Sequence, residues 1–360
     1  MSYRTASDGF WTILLIPLAI LLNDEERVFK SILVIVTFNS VVGYLVCVLV
    51  CRSLLFMVKP WKFSLLDILF CSWAAGSLGT FLLSTSLNDF LLLGDWIFRG
   101  FIDNTRAKLI VSWLALTAAS IAFVIWKNMT AEATDTIDRK YFHFIMVLVC
   151  IPGVFLDFRL LYISSVAAVC AFVILEVIRL LRIEICHVPV GDMIENCVKI
   201  FRDSKDEGVT ILTPVYLLAG CSLPFWLNLV DPRADVTNLT GPSVAAAFAG
   251  ILSIGVGDTF ASVGGLAFGK TKWKGSNKSV EGTLCSLVAQ LLVIGALWAS
   301  DLSSLGMTTV TSLVIAAVIN AFVEAKTDQI DNLVLPLLTY DVIIGVEKAL
   351  LWYYVQQRPI

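Results

Sequence analysis

The chain has 360 residues and a net charge of -3 at neutral pH, and it is 58% hydrophobic but only 15% charged. Soluble globular proteins contain roughly 45 to 50% apolar and about 25% charged residues, so the composition excludes an ordinary soluble domain and indicates a membrane protein. The small net charge gives no support for nucleic-acid binding. The nine cysteines form no Cys-x-x-Cys pair and lie mostly in apolar runs, which predicts buried thiols rather than disulfides or a metal site.

Apolar runs of membrane-spanning length recur along the chain. A helix needs about 20 apolar residues to cross a bilayer, and fewer when flanking side chains reach the interface. We therefore predict an all-α, polytopic integral membrane protein that forms one membrane domain with roughly 10–11 transmembrane helices. The predicted spans are 10–22, 31–57, 65–85, 109–126, 142–156, 160–178, 210–229, 244–257, 283–299, 308–323 and 333–353.

The distribution of basic residues predicts the orientation of these spans. If the spans alternate and the lysine-rich segment at 270–282 is cytosolic, most of the 26 Lys and Arg residues also lie on the cytosolic side, as the positive-inside rule expects. The sequon Asn238-Leu-Thr240 then lies in the lumen, where it can be glycosylated. The connection at 179–208 carries apolar residues at helical spacing, which predicts an interfacial helix, with a solvated connector as an equal alternative.

The stretch 254–283 combines glycine with lysine between apolar runs. It contains seven of the 22 glycines, four lysines within nine residues, and the acids Asp258 and Glu281. Glycine allows the backbone to approach a ligand closely, and lysine supplies point charges for phosphate. We therefore predict a segment that the rest of the chain holds at the membrane surface and that can contact phosphate. Alternatively, the lysines determine topology or contact anionic lipids.

Part of this stretch, 264–271, matches the P-loop expression G-x-x-x-x-G-K-[ST] at every position. A P-loop needs a strand before it and a helix after it, because the phosphates bind at that helix's N-terminus. Here an apolar span precedes and loop-like residues follow, so we interpret the match as a coincidence. Ser279 is a predicted N-cap of the next helix, and Glu281 in its first turn can equally be an acid that compensates the helix dipole.

Acidic and basic residues elsewhere are predicted on the same side of the membrane. Asp258 ends a predicted span, where a carboxylate is costly unless it faces a cavity and binds a cation or a hydroxyl. Asp328 and Asp331 share a face if their segment is helical and can then hold Mg²⁺, although a hydrated connector is the alternative. The cluster Arg139-Lys-Tyr-Phe-His143 is as consistent with a structural role as with a functional one. Together these groups fit metal-assisted phosphoryl transfer.

At these residues the sequence resembles the dolichol kinase family of polyprenol kinases. The resemblance covers about 139–336 and is carried by the 139–143 cluster, Ile151-Pro-Gly153, and the stretches 208–213, 216–224, 255–282 and 327–336. Its most specific elements are Gly257-Asp258, Lys278-Ser-Val-Glu-Gly282 and Asp328-Gln-Ile-Asp-Asn332. The resemblance divides the chain into an N-terminal transmembrane region at 1–130, without such motifs, and a catalytic membrane region at 131–360 with a nucleotide loop at 255–282. Lys274 departs from the proline that many members have there.

The resemblance implies an enzyme that transfers a phosphoryl group from CTP to the terminal hydroxyl of dolichol. The product, dolichyl phosphate, carries sugars for protein N-glycosylation. The implied cofactors are CTP and Mg²⁺ or another divalent cation, and the implied partners are a polyisoprenoid lipid and the bilayer, without nucleic acid. The implied location is the endoplasmic reticulum membrane, with the loop in the cytosol.

The expected site residues follow from these elements. The catalytic set is Asp258, Lys278, Glu281, Asp328 and Asp331, of which Asp258, Asp328 and Asp331 are expected metal ligands. We expect Lys270, Lys272 and Lys278 on the phosphates, Trp273 on the base, and Asp258 as metal ligand or as base for the lipid hydroxyl. The expected CTP-binding residues are Leu266, Ala267, Phe268, Gly269, Lys270, Thr271, Lys272, Trp273, Lys274, Gly275, Ser276, Asn277, Lys278, Ser279, Val280 and Glu281.

Three other functions stay open from the sequence. Two are enzymes, namely a kinase for another isoprenoid alcohol and a cytidylyltransferase that activates a phospholipid. The third is a transporter whose glycine-interrupted span at 254–269 is a discontinuous helix that binds an anion. A transporter should show inverted halves and polar residues near the centres of spans, and the sequence shows neither clearly.

The predicted orientation places residues 276 and 329 on the same side of the membrane. We expect a single cysteine introduced at Ser276 or at Gln329 to be modified by a reagent confined to the cytosol, because both positions lie in cytosolic connections. Modification of the two positions from opposite sides would contradict the orientation.

Overall fold

The structure of the protein is a computed structural model. It describes residues 102–130, 136–182, 190–198, 211–228, 241–300, 304–327 and 331–356. Within these ranges the chain forms helices and no β-strand, only an isolated bridge between Lys272 and Ser279. The all-α prediction is therefore confirmed. The helices are α1 (Asn104–Thr130), α2 (Thr136–Leu156), α3 (Phe158–Leu181), α4 (Val190–Val198), α5 (Thr213–Asn228), α6 (Pro242–Ala247), a π-helix (Ile251–Asp258), α7 (Thr259–Phe268), α8 (Val280–Ala299), α9 (Met307–Lys326) and α10 (Asp331–Gln356).

Six helical segments of the described residues are long and apolar enough to cross a membrane. They are Asn104–Thr130, Thr136–Leu156, Phe158–Leu180, Ile251–Phe268, Val280–Ala299 and Met307–Lys326. The polytopic prediction is confirmed by these segments. The predicted spans 210–229 and 333–353 correspond to α5 and α10, whereas 10–22, 31–57 and 65–85 lie outside the described residues.

The chain separates into two compact units. The first contains residues 1–112, 121–132 and 163–215, and the second contains 113–120, 133–162 and 216–360. The division predicted at residue 130 concerns function and stays a prediction.

In the first unit, a buried ion-pair cluster connects three parts of the chain. The guanidinium of Arg179 donates to Glu176 at 2.7 Å and also contacts Glu195 of α4. Glu176 accepts the backbone N–H of Ile211 at 2.7 Å. The helix predicted in the connection 179–208 exists as α4, and these contacts attach it to the end of α3.

In the second unit, the π-helix is the central element. All eight of its residues are buried, and it packs against α2, α8, α9 and α10 as well as against α7, which continues it. The neighbours approach closely because the π-helix contains small residues: a Cβ added at Gly255 would lie 2.4 Å from Cγ2 of Val147 on α2. The hydroxyl of Thr259 donates to the carbonyl of Ile254, five residues earlier, at 3.3 Å. The π-helix itself, defined by backbone bonds over five residues, is rare and often occurs at functional sites.

The structure corrects the predicted loop at 255–282, because residues 255–268 are helical and the irregular connection is only 269–279. The glycines there serve helix packing. A Cβ at Gly264 would lie 2.5 Å from Cβ of Cys285, and a Cβ at Gly282 would lie 2.6 Å from the carbonyl oxygen of Ala261. The segment that the transporter hypothesis interpreted as a discontinuous helix is thus continuous. For the same reason Asp258 does not end a span but lies inside the candidate span Ile251–Phe268.

The contact between α5 and α10 predicts opposite effects for two glycine substitutions. A Cβ at Gly220 would lie 1.8 Å from the backbone oxygen of Asn332, whereas a Cβ at Gly295 meets nothing within 4 Å. We expect Gly220→Ala to lower stability by about 1–3 kcal/mol through overpacking. Gly295→Ala should leave stability unchanged or raise it by up to about 1 kcal/mol, because alanine favours helix. Thermal unfolding in detergent measures both, and equal melting temperatures would contradict the packing described.

Candidate active site

Asp258, the last residue of the π-helix, meets two basic side chains of α2. The ammonium of Lys140 hydrogen-bonds to Oδ2, and Nε2 of His143 lies 3.2 Å from the same oxygen. Asp258 is only 4% exposed, so the neighbouring cation balances a charge that would otherwise be costly to bury. Oδ1 accepts no hydrogen bond from the residues that the structure describes. One carboxylate oxygen is therefore left for a ligand.

His143 connects this ion pair to a third helix. Its Nε2 also lies 3.3 Å from Oδ1 of Asn332 in the first turn of α10, and its Nδ1 lies 3.1 Å from the carbonyl oxygen of Arg139. The imidazole is therefore held on both sides. The structure thus brings the cluster at 139–143 onto Asp258, which favours a functional role for that cluster. We call Lys140, His143, Asp258 and Asn332 the Asp258 cluster.

The connection 269–279 folds back on itself between α7 and α8. The backbone N–H of Trp273 donates to the carbonyl of Lys278 at 3.0 Å, and the N–H of Val280 donates to the carbonyl of Thr271 at 2.9 Å. Gly275 has a φ of +78° at the tip of this turn, a conformation that glycine adopts without steric cost. These bonds give the exposed loop a defined shape.

The first turn of α8 fastens the loop at its base. Oγ of Ser279 accepts the N–H of Gly282 at 3.1 Å, so the predicted N-cap is confirmed. The carboxylate of Glu281 accepts the N–H of Lys270 at 3.2 Å and that of Thr271 at 3.0 Å. These contacts show that Glu281 holds the start of the loop against α8. Its catalytic role stays a prediction.

The lysines of the loop differ in what they contact. The ammonium of Lys278 lies 2.7 Å from Oε1 of the buried Glu324 on α9, and that of Lys272 donates to the carbonyl of Asn277 at 2.7 Å. The exposed ammonium groups of Lys270 and Lys274 make no hydrogen bond or ion pair with the described residues. Of the lysines expected on phosphate, Lys270 is therefore the one whose side chain is directly available.

Trp273 lies against the ends of α8 and α9. Its indole N–H donates to Oγ1 of Thr283 at 3.0 Å, and its ring meets Phe322 edge to face at 6.1 Å between centroids. The ammonium of Lys326 lies 4.9 Å from the ring centroid, in cation–π geometry. These contacts fix the position of the ring, and its expected contact with a base stays a prediction.

The expected metal ligands Asp258, Asp328 and Asp331 stay a prediction. Asp328 lies outside the described residues, and in the part of the chain that the structure describes no group of three His, Cys, Asp or Glu residues could hold a metal ion. Lys140 and His143 occupy Oδ2 of Asp258, and Asp331 accepts the backbone N–H of Asn332 at 3.2 Å. The described residues therefore do not fit a resident divalent cation by themselves.

Several residues that make these contacts were absent from the expected site, among them Lys140, His143, Glu324 and Asn332. Lys140 and His143 belong to the cluster that the sequence left undecided, and Asn332 directly follows Asp331. Glu324 could have been found from the sequence, because an acid near the end of an apolar span needs a basic or polar partner.

No hydrogen bond or ion pair among the described residues joins the loop 269–279 to the Asp258 cluster.

The bonds from Glu281 generate a prediction about the loop. We expect Glu281→Gln to increase tryptic cleavage after the exposed loop lysines by about twofold to fivefold, because a neutral amide holds the two N–H groups less well and the loop opens more often. Asp341→Asn, which removes an exposed carboxylate on α10, serves as a matched control and should leave cleavage unchanged. Unaltered cleavage in the Glu281 variant would show that the carboxylate does not fasten the loop.

Comparison with known proteins complements this geometry. The family model described as dolichol kinase matches residues 14–222. The dolichol kinase of Bos taurus is 36% identical over 251 residues, which cover 67% of this chain and 46% of that protein. The dolichol kinase of Homo sapiens is 34% identical over 258 residues, with 69% and 46% covered, and the dolichol kinase EVAN of Arabidopsis thaliana is 32% identical over 243 residues, with 66% and 40% covered.

The chain thus spans about half the length of the curated relatives it matches. No solved structure matches it. The family model covers more than half of the chain and includes the segment that supplies Lys140 and His143 to the cluster. The chain belongs to the dolichol kinase family.

Proposed function

We propose that the protein is a dolichol kinase, which transfers the terminal phosphoryl group of CTP to the terminal hydroxyl of dolichol. The observation that carries the proposal is the buried Asp258 cluster in a membrane-spanning protein of this family. CTP as the donor, the use of the product in protein N-glycosylation, and the endoplasmic reticulum membrane with a cytosolic loop are proposed from the family resemblance.

The position of Asp258 suits an acceptor that stays in the bilayer. A long polyisoprenoid remains among the lipid tails, so its hydroxyl has to reach the reacting groups from the membrane side. Asp258 is followed by α7, on which Phe260, Val263 and Leu266 are exposed apolar side chains. We place the isoprenoid chain along this surface, with the hydroxyl at Oδ1 of Asp258.

The phosphoryl transfer is then a displacement at the terminal phosphorus of CTP. The hydroxyl oxygen of dolichol forms the new P–O bond, the bond between that phosphorus and the bridging oxygen breaks, and CDP leaves with the bridging oxygen. The hydroxyl proton passes to Asp258. Phosphoryl transfer depends mainly on positioning and charge stabilisation, and the ammonium of Lys140 supplies positive charge beside the reacting oxygen.

The loop 269–279 supplies the contacts to the donor in this proposal. Lys270 and Lys274 are exposed and available for the phosphates, whereas Lys278 and Lys272 hold the loop in shape through Glu324 and Asn277. The triphosphate extends from the loop towards Lys140. Mg²⁺ or another divalent cation, with Asp328 as a ligand, stays a proposal.

A direct assay tests the function. Purified protein in detergent is given dolichol, Mg²⁺ and CTP labelled on its terminal phosphate, and we expect the label in the lipid. Asp258→Asn keeps the shape of the side chain but removes its basicity, so kcat should fall by about 10²- to 10⁴-fold. Asp341→Asn is the matched control and should retain activity. Absence of label with the unaltered protein would contradict the function, and full activity of Asp258→Asn would contradict the role of that carboxylate.

A further inference from the structure

Polar side chains occupy the interior of helices α8, α9 and α10 beside the π-helix. Ser286 and Gln290 of α8, Asn320 of α9 and Thr339 of α10 are each at most 1% exposed. Gln290 is close to the middle of the candidate span Val280–Ala299, so a polar residue does lie near the centre of a span. Buried polar groups are costly in a membrane protein and are usually retained for a function.

Hydrogen bonds connect these side chains across the three helices. Nε2 of Gln290 donates to Oγ of Ser286 at 3.1 Å, and Nδ2 of Asn320 donates to Oε1 of Gln290 at 3.2 Å. The hydroxyl of Thr339 donates to Oδ1 of Asn320 at 3.4 Å. We call these four residues the amide network. Because its members satisfy one another, the network avoids most of the penalty for burying polar atoms.

The amide network meets the π-helix at Gly257. A Cβ at Gly257 would lie 2.8 Å from Nδ2 of Asn320 and 2.9 Å from Nε2 of Gln290. Both amide groups therefore lie where a side chain at position 257 would have to be, and this close packing leaves no space there for a ligand. Gly257 immediately precedes Asp258, although neither amide hydrogen-bonds to the Asp258 carboxylate within the described ranges.

A π-helical segment needs such support because the α-helix is the more common form of the same backbone. Conversion of one π-turn into an α-turn shifts the following residues by one position. A shift of one residue rotates a side chain by about 100° around the helix axis. Asp258 would then point away from Lys140 and His143, so the direction of its carboxylate depends on what holds the π-turn.

We infer that Gln290 and Asn320 are positioning residues, which hold the π-turn at Gly257 and so direct Asp258 towards Lys140 and His143. The kinetic part of this inference rests on the proposed kinase activity. The geometric part does not, because the orientation of Asp258 can be measured through its ion pair with Lys140.

The kinetic test compares Asn320→Leu and Gly257→Ala with Ser312→Ala. Ser312 is an equally buried residue of α9, but its hydroxyl donates within its own helix to the carbonyl of Thr309 at 2.8 Å. We expect kcat to fall by about 10²-fold in the first two variants, since a misdirected reacting group costs about that much, with the KM for CTP within about twofold. Ser312→Ala should match the unaltered protein. A rise in KM with unchanged kcat, or equal losses in all three, would overturn the inference.

A second test measures thermal stability and does not depend on kinase activity. In the unaltered protein, Lys140→Met and Asp258→Asn should change the melting temperature non-additively, because they share one ion pair. We expect the two changes to become additive in the Asn320→Leu background and to stay coupled in the Ser312→Ala background. Coupling that persists in Asn320→Leu would overturn the inference. Lost coupling in Asn320→Leu, together with no kinase activity of the unaltered protein, would support the positioning and contradict only the proposed function.

A milder variant keeps the test decisive if Asn320→Leu does not fold. Thr339→Val has nearly the same shape and removes only the last hydrogen bond of the network. We expect kcat to fall by about threefold to tenfold and the coupling between Lys140 and Asp258 to weaken. Unchanged kcat together with unchanged coupling would overturn the inference.

Discussion

The close packing of the four helices α2, α8, α9 and α10 against the π-helix is the constraint on which the second unit depends. The closest approaches need positions without a side chain, which Gly255 and Gly257 provide among the larger buried residues of the π-helix. Once the neighbours are that close, water is excluded and a carboxylate at the end of the π-helix needs a partner from the protein. Lys140 and His143 are these partners. The close helix packing that the glycines allow is therefore also the reason why Asp258 is buried and paired.

Buried acids with basic partners recur in the molecule. Glu176 pairs with Arg179, Glu324 with Lys278, and Asp258 with Lys140. Such pairs contribute little net stability compared with apolar packing, but the loss of one partner leaves a buried charge and is costly. The main effect of these pairs is therefore to fix the relative positions of the segments that they join. The Lys278 pair fixes the loop to α9, and the Lys140 pair fixes α2 to the π-helix.

The sequence predicts those features that depend on neighbours along the chain. Apolar runs predict the membrane spans, and the residues around Ser279 predict the N-cap, because each feature depends only on residues close together in the sequence. Lys140 and Asp258 are 118 positions apart, and no local pattern shows that they meet. The glycines at 255–265 are the instructive case: glycine serves both close ligand approach and close helix packing, and composition cannot distinguish the two uses. The π-helix has no sequence signal of its own, and the isolated amides of Gln290 and Asn320 gain meaning only when three helices are placed together.

The helix α7 separates the two halves of the proposed reaction. Asp258 directly precedes α7, and the loop with the available lysines directly follows it, so ten residues, or about 15 Å of helix, lie between them. Because α7 is packed against α8 through Gly264 and Gly282, this spacing is rigid. In the proposed reaction, the length of α7 would therefore set the distance between Lys270, at the start of the loop, and Asp258. The addition of one residue to α7 would move the loop by about 1.5 Å and turn it by about 100° relative to Asp258.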